Sequence, residues 1–147
     1  MSAADERAAV VAEALTWLGT PWAHAQRVKG AGVDCANFVI GVYAGAGLIA
    51  AFDPGPYPRD WHIHKSEEWF LRLMPGLPAR EIAEADAGPG DMVLFRIGRV
   101  FSHAAIVLER PLGIHAAVNE GRVVRCNLDR DVGLTSGPRK VFTFEGW

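Results

Sequence analysis

At 147 residues, half of them hydrophobic and 22% charged, the chain has ordinary globular composition and is long enough to bury a real core as one domain, 1–147. Fifteen Lys and Arg against 17 Asp and Glu leave a net charge of -2, which gives no electrostatic case for nucleic acid or an anionic membrane as a partner. No apolar run reaches the roughly 18 residues of a membrane-inserting helix, and two cysteines are too few for a disulfide framework.

The N-terminus, Met1 to Arg7, lacks the basic start and apolar stretch of a secretory signal, so export by the general route is not expected. Ser2 with Asp5 three residues on resembles a capping box. The stripe Val10, Val11, Ala14, Leu15, Leu18 predicts a first helix over Ala8 to Leu18, which Gly19-Thr20-Pro21 stops. Trp22 and His24 follow in a loop that leads to Gly30-Ala31-Gly32-Val33-Asp34-Cys35. Behind Cys35, the residues Phe38, Val39, Val42, Tyr43 and Ala46 recur at helical spacing, so Cys35 is placed at or near the N-terminus of a helix that ends near Gly47. A surface loop rich in proline runs from 48 to 60, and Ser66 to Leu73 reads as a short amphipathic helix. The acidic residues Glu67, Glu68, Glu81, Glu84 and Asp86 read as a solvated helix face. From Gly88 the texture changes to a Gly88-Pro89-Gly90-Asp91 turn and five strands: Met92–Phe95, Phe101–Leu108, Leu112–Val118, Arg122–Asn127 and Lys140–Phe144. Helices first and meandering strands second predict an α+β fold with an antiparallel sheet.

A cysteine at a helix start is presented to free N–H groups and the positive end of the helix dipole, which favours its thiolate. Cys126 lies in a strand and reads as a packing residue. If Glu109-Arg110-Pro111 is a three-residue hairpin loop, Leu108 faces Leu112, and His115 faces Ala105 on the same sheet face as His103, one diagonal step away. An even loop or a bulge would separate them. Small neighbours on that face (Ala105, Gly113, Ala117) leave room for a helix to lay a cysteine against the sheet. The chemistry this permits is nucleophilic acyl transfer. Cys35 attacks, His103 moves the proton, and His115 orients His103. The Cys35 backbone N–H donates to the oxyanion, with His24 as a candidate second donor.

These residues resemble the NlpC/P60 family of papain-like cysteine peptidases. The motifs that carry the resemblance are Gly19-Thr20-Pro21-Trp22, Asp34-Cys35, Pro89-Gly90-Asp91, Ser102-His103-Ala104-Ala105-Ile106-Val107 and Ile114-His115-Ala116. It implies N-terminal helices packed on a five- to six-stranded antiparallel sheet, catalysis by Cys35, His103 and His115 without a cofactor, and oxyanion or substrate contacts from Trp22, His24, Asp34 and Ser102. Pro21-Trp22-Ala23-His24, Lys29-Gly30 and Tyr57-Pro58-Arg59-Asp60-Trp61 look most like the branch encoded with phage tails and gene transfer agents. That implies hydrolysis of peptidoglycan stem peptides at the bond between γ-D-glutamate and a diamino acid. It also implies tail or gene-transfer-agent proteins as partners, and delivery to the periplasm or cell wall in such a particle. Two departures stand out: Ala36-Asn37 follow the cysteine where many members have Ser-Gly, and Trp22 replaces a tyrosine whose hydroxyl helps the oxyanion.

Three other readings compete. One Cys and two His could hold zinc, although no fourth ligand of closed spacing occurs and His62 and His64 sit far off. A non-catalytic wall-binding or tail-structural module would keep the fold without the chemistry. The same triad could serve another amide or acyl-transfer substrate. Arg27, Lys29, Arg59 and Lys65 are candidate partners for stem-peptide carboxylates.

Overall fold

A computed structural model describes residues 1–57 and 77–147. The expected helix at Ser66 to Leu73, the Trp61 to His64 cluster, Arg59, Lys65, Glu67 and Glu68 lie outside the described residues.

Helix α1 runs Ala3–Leu15, earlier at both ends than its apolar stripe suggests. The reason is at its start. Ser2 Oγ accepts from the Asp5 N–H at 3.1 Å and the Asp5 carboxylate reaches back to the Ser2 N–H, so the capping box fixes the first turn. Residues 16 to 19 leave the helix in tight turns that bury Trp17. After the short hairpin β1 (Arg27–Val28) and β2 (Gly32–Val33), helix α2 runs Cys35–Gly45 with Asp34 as its N-cap. Its end is closed by Gly47 at φ +83 and by the Leu48 N–H on the Tyr43 carbonyl at 3.0 Å.

The main sheet contains β3 (Ala79–Ile82), β4 (Met92–Ile97), β5 (Val100–Val107), β6 (Leu112–Ala117), β7 (Arg122–Asn127) and β8 (Arg139–Phe144). They form one six-stranded antiparallel sheet in the order β3-β8-β4-β5-β6-β7. Edge strand β3 was not expected. Glu81 lies on it and Glu84 and Asp86 lie in a 3-10 turn, so these acids do not share a helix face. Instead Glu81 meets Lys140 at 3.4 Å, and Glu84 pairs with Arg139. At the opposite edge the entry segment extends β7. Val123 N–H donates to Thr20 O at 2.9 Å, and Trp22 N–H donates to Gly121 O at 2.8 Å.

Both helices pack on the sheet face that carries Met92, Leu94, Ala104, Ile106, Ile114 and Ala116. This corrects the expectation that the small residues beside the histidines make room for the cysteine helix; the short helix Val132–Thr135 instead sets Leu134 on that side. That second face is closed by Val93, Phe95, Ala105, Val107, Cys126, Leu128, Leu134 and Val141. A Cβ on Gly113 would meet Leu128 Cδ2 at 2.8 Å, so the small residues make room for the Leu128 segment. The larger branched side chains, which bury more apolar area, face the helices. Arg7 of α1 ties this assembly to the Pro-Gly-Asp turn. Its guanidinium donates to Pro89 O at 2.8 Å and pairs at 3.1 Å with Asp91, which is fully buried.

Candidate active site

Cys35 is the first residue of α2, and the helix forms there because Asp34 accepts the Asn37 N–H at 3.0 Å. The histidines come from the β5–β6 hairpin. Leu108 N–H donates to Leu112 O at 3.0 Å across a three-residue loop that holds a cis Arg110–Pro111 bond. The register Ile106↔Ile114 and Val107↔Gly113, carried forward, sets His115 opposite Ala105, and His103 Nε2 lies 2.6 Å from His115 Nδ1. The expected shared parity is what the structure has.

The ladder between β5 and β6 stops at Ile106↔Ile114, so the strands part ahead of the histidines. The N-terminus of α2 meets that opening. Although its helix lies on the opposite sheet face, Cys35 reaches β5 there and its thiol lies 3.6 Å from the Ser102 carbonyl. A cleft of about 1080 Å³ runs past Cys35, His103 and His115, with Trp22, His24, Asp34, Tyr57 and Ser102 among its walls. All seven residues singled out from the sequence thus line one cleft, but their side chains do different things. Ser102 Oγ donates to Ile97 O at 2.9 Å and serves the β4–β5 hairpin; only its carbonyl meets the thiol. His24 Nε2 lies 3.0 Å from the Tyr57 carbonyl and its ring stands edge-on to the Tyr57 ring, so it braces Tyr57.

The electrostatics of the resting site run against the expected thiolate. Burial first, and the Asp34 carboxylate second, push the Cys35 thiol up to about 12. Backbone N–H groups at Ala36 and Ala104 oppose this only in part. Desolvation of a charge outweighs what one helix terminus returns. Burial lowers His103 to about 3, helped by neighbouring His115. His115 is lowered by burial too, with Asp131 and Glu120 pulling the other way. Burial thus favours the neutral form of both the Cys35 thiol and the His103 imidazole.

These shifts set a stability profile. Histidines depressed in the native state leave the unfolded chain binding more protons below pH about 6.5, so stability falls with acid. Thiols raised in the native state leave the unfolded chain binding fewer protons above pH about 9, so stability falls with alkali. Cys126, also pushed up to about 12 by burial, adds to the alkaline limb. Urea unfolding is expected to show a plateau between these limits and a loss of about 2 kcal/mol from pH 7 to pH 5 through His103. The His103→Gln variant should flatten that acid limb; an unchanged limb would contradict the neutral burial.

Two residues of the site were not singled out from the sequence. Tyr57 donates its hydroxyl to Asp34, and Asn37 Nδ2 lies 3.1 Å from Asp34 Oδ1 and 3.4 Å from the Tyr57 hydroxyl. Asp34 and Asn37, at the N-cap and three residues on, form a capping pattern that the sequence does display. Nothing local announces that Tyr57 joins them. Both cysteines are free, and among the described residues no group of three or more His, Cys, Asp or Glu side chains is placed to hold a metal ion.

The architecture has many solved counterparts. The NlpC/p60 domain of the peptidoglycan hydrolase SagA matches with a TM-score of 0.63 and 22% identity, over 92% of this chain and 97% of that one. RipB, a peptidoglycan hydrolase from Mycobacterium tuberculosis, matches with a TM-score of 0.64 and 19% identity, over 97% of this chain and 68% of that one. RipD from the same organism, described as a non-catalytic NlpC/p60 domain protein adapted to peptidoglycan binding, matches with a TM-score of 0.59 and 20% identity, over 92% and 95%. At these identities the likeness is one of fold. No curated protein matches the chain. The model of the NlpC/P60 family matches residues 19–133, which takes in the entry segment, α2, the histidine pair and five of the six main strands, and the chain therefore belongs to the NlpC/P60 family.

Proposed function

We propose that the protein is a cysteine peptidase that hydrolyses peptidoglycan stem peptides, at the bond between γ-D-glutamate and a diamino acid. The observation that carries the reading is the joining of Cys35, at a helix N-terminus, with a histidine pair at 2.6 Å in one cleft. With the His103 Nε2–H donated to His115 Nδ1, His103 Nδ1 keeps a lone pair for the Cys35 proton. Substrate seated against the sulfur excludes water. The thiol proton passes to His103 as sulfur attacks the carbonyl carbon, and the backbone N–H of Cys35 meets the growing oxyanion. His103 then returns the proton to the leaving amine, and water hydrolyses the thioester by the same relay. Because burial favours the neutral form of both partners, proton transfer accompanies attack.

The test is mass analysis of defined stem peptides after incubation with wild type and with Cys35→Ala. Wild type is expected to cleave one amide, and the variant none. An uncleaved set with well-folded wild type would sink the peptidase reading. The motifs that look like the phage-tail branch extend the proposal to delivery by a tail-like particle, which immunodetection in purified particles would test.

A second reading is non-catalytic binding of peptidoglycan, as described for RipD. It is favoured by the thiol resting on the Ser102 carbonyl and by its raised pKa. Pelleting with insoluble wall material, undiminished in Cys35→Ala and without any released peptide, would support it.

A further inference from the structure

We propose that Tyr57 is a positioning residue for the nucleophile: its hydroxyl completes the hydrogen bonding of the Asp34 carboxylate and keeps that charge off the Cys35 sulfur. The inference rests on Cys35 acting as the nucleophile.

Asp34 is 3% exposed and adjoins Cys35, so its carboxylate lies in low dielectric beside a sulfur that must become anionic. Such a group is held by donors or it opposes the thiolate directly. Four donors are present. Oδ1 takes the Asn37 N–H at 3.0 Å and Asn37 Nδ2 at 3.1 Å; Oδ2 takes the Ala25 N–H at 2.8 Å and the Tyr57 hydroxyl. Three of these come from the entry loop and from α2 itself. The fourth comes from a separate segment, the loop at 48–57.

That loop is tied down from several sides. His24 engages the Tyr57 carbonyl, and Arg27 Nη1 bridges Phe52 O at 2.8 Å to Asn37 Oδ1 at 3.0 Å. Asn37 thus joins the Tyr57 loop to the carboxylate, and one of the chain's two departures from the family pattern falls on it. The other departure, Trp22, removes a phenol from the entry; Tyr57 brings one in from a different segment. Other titratable groups around this cluster are His103 from β5 and His115 from β6, both lowered by burial, with Asp131 and Glu120 opposing that at His115; His24, which meets Tyr57; and Arg27, which donates to Asn37.

The test is the rate of iodoacetamide modification of Cys35 from pH 7 to 10.5, read by peptide mass so that Cys126 is scored apart. It needs no peptide substrate, so it stands even if the peptidase reading fails. In Tyr57→Phe the rate at a fixed pH is expected to fall roughly threefold or more, with the whole profile displaced to higher pH and the melting temperature nearly unchanged. Asn37→Ala, which withdraws another donor from the same carboxylate, should displace it in the same direction and covers the case in which Tyr57→Phe folds poorly. A wild-type profile in a folded Tyr57→Phe protein overturns the proposal. So does a uniform rise at every pH, which would make the phenol a shield for the sulfur.

Discussion

Replacing His103 by alanine is expected to lower stem-peptide turnover by about 10³-fold or more, with the melting temperature kept or raised at pH 6. The reason is geometric. Burial opposes a standing charge on either partner, so the thiol proton has to leave during attack, and His103, paired through its Nε2 with His115, is the cleft base with a ring nitrogen left to take it. His115 acts differently. Its Nδ1, 2.6 Å from His103 Nε2, selects the tautomer that leaves the other nitrogen free. His115→Asn, which can still offer an acceptor, should lose only about 10–10²-fold, mostly in kcat. Steady-state kinetics on a defined peptide decide the matter. A His103→Ala enzyme that retains a tenth of wild-type kcat/KM would show that the proton leaves by another route.

Removing the Asp34 carboxylate should have the largest effect on stability. Asp34→Ala takes the N-cap from α2 and removes the acceptor shared by Ala25, by the buried Asn37 and by the Tyr57 hydroxyl. Loss of a cap costs about 1 kcal/mol, and buried groups left unpaired add to it, for a total near 3 kcal/mol. In a domain of this size that is a fall of roughly 10 °C in Tm, measured by thermal melts at pH 7. Asp34→Asn keeps an acceptor for the cap and removes the charge. Since that charge raises the Cys35 thiol, the Asn variant should be less stable than wild type and more reactive toward iodoacetamide. A melting temperature within about 2 °C of wild type for Asp34→Ala, which corresponds to under about 1 kcal/mol in a domain of this size, would remove Asp34 as the keystone of the site.

Much of this was legible before any coordinates. The capping box at Ser2 and Asp5 and the helix start at Cys35 follow from local chemistry, and both are present. Four of the five expected strands that follow Gly88 differ from the observed ones by no more than one residue at either end, and only Met92–Phe95 was drawn two residues short. The histidine pair followed from counting across Glu109-Arg110-Pro111, because side-chain parity is fixed once loop length is known. What failed was anything that depended on which sheet face the helices choose. Strand alternation shows two faces and does not say which is covered by which element; Ala105 and Gly113 belonged to the Leu128 side. The helix dipole that favours a thiolate at Cys35 is local and legible, whereas the burial that pushes the thiol up is a tertiary quantity. Tyr57 was missed because its contact spans 23 residues of sequence and is made by a loop without periodicity.

Arg7 has one more consequence. Besides holding Asp91, its guanidinium lies 4.3 Å from the centre of the Trp147 ring, so the first helix and the last residue are clasped together. Neither residue lines the cleft. Arg7 also reaches Thr143 of β8 at 3.2 Å, so one guanidinium rivets α1 to the turn ahead of β4 and to the stretch that ends the sheet. Strain in any one of these is shared by the other two, and the rivet sits clear of Cys35 and the histidines.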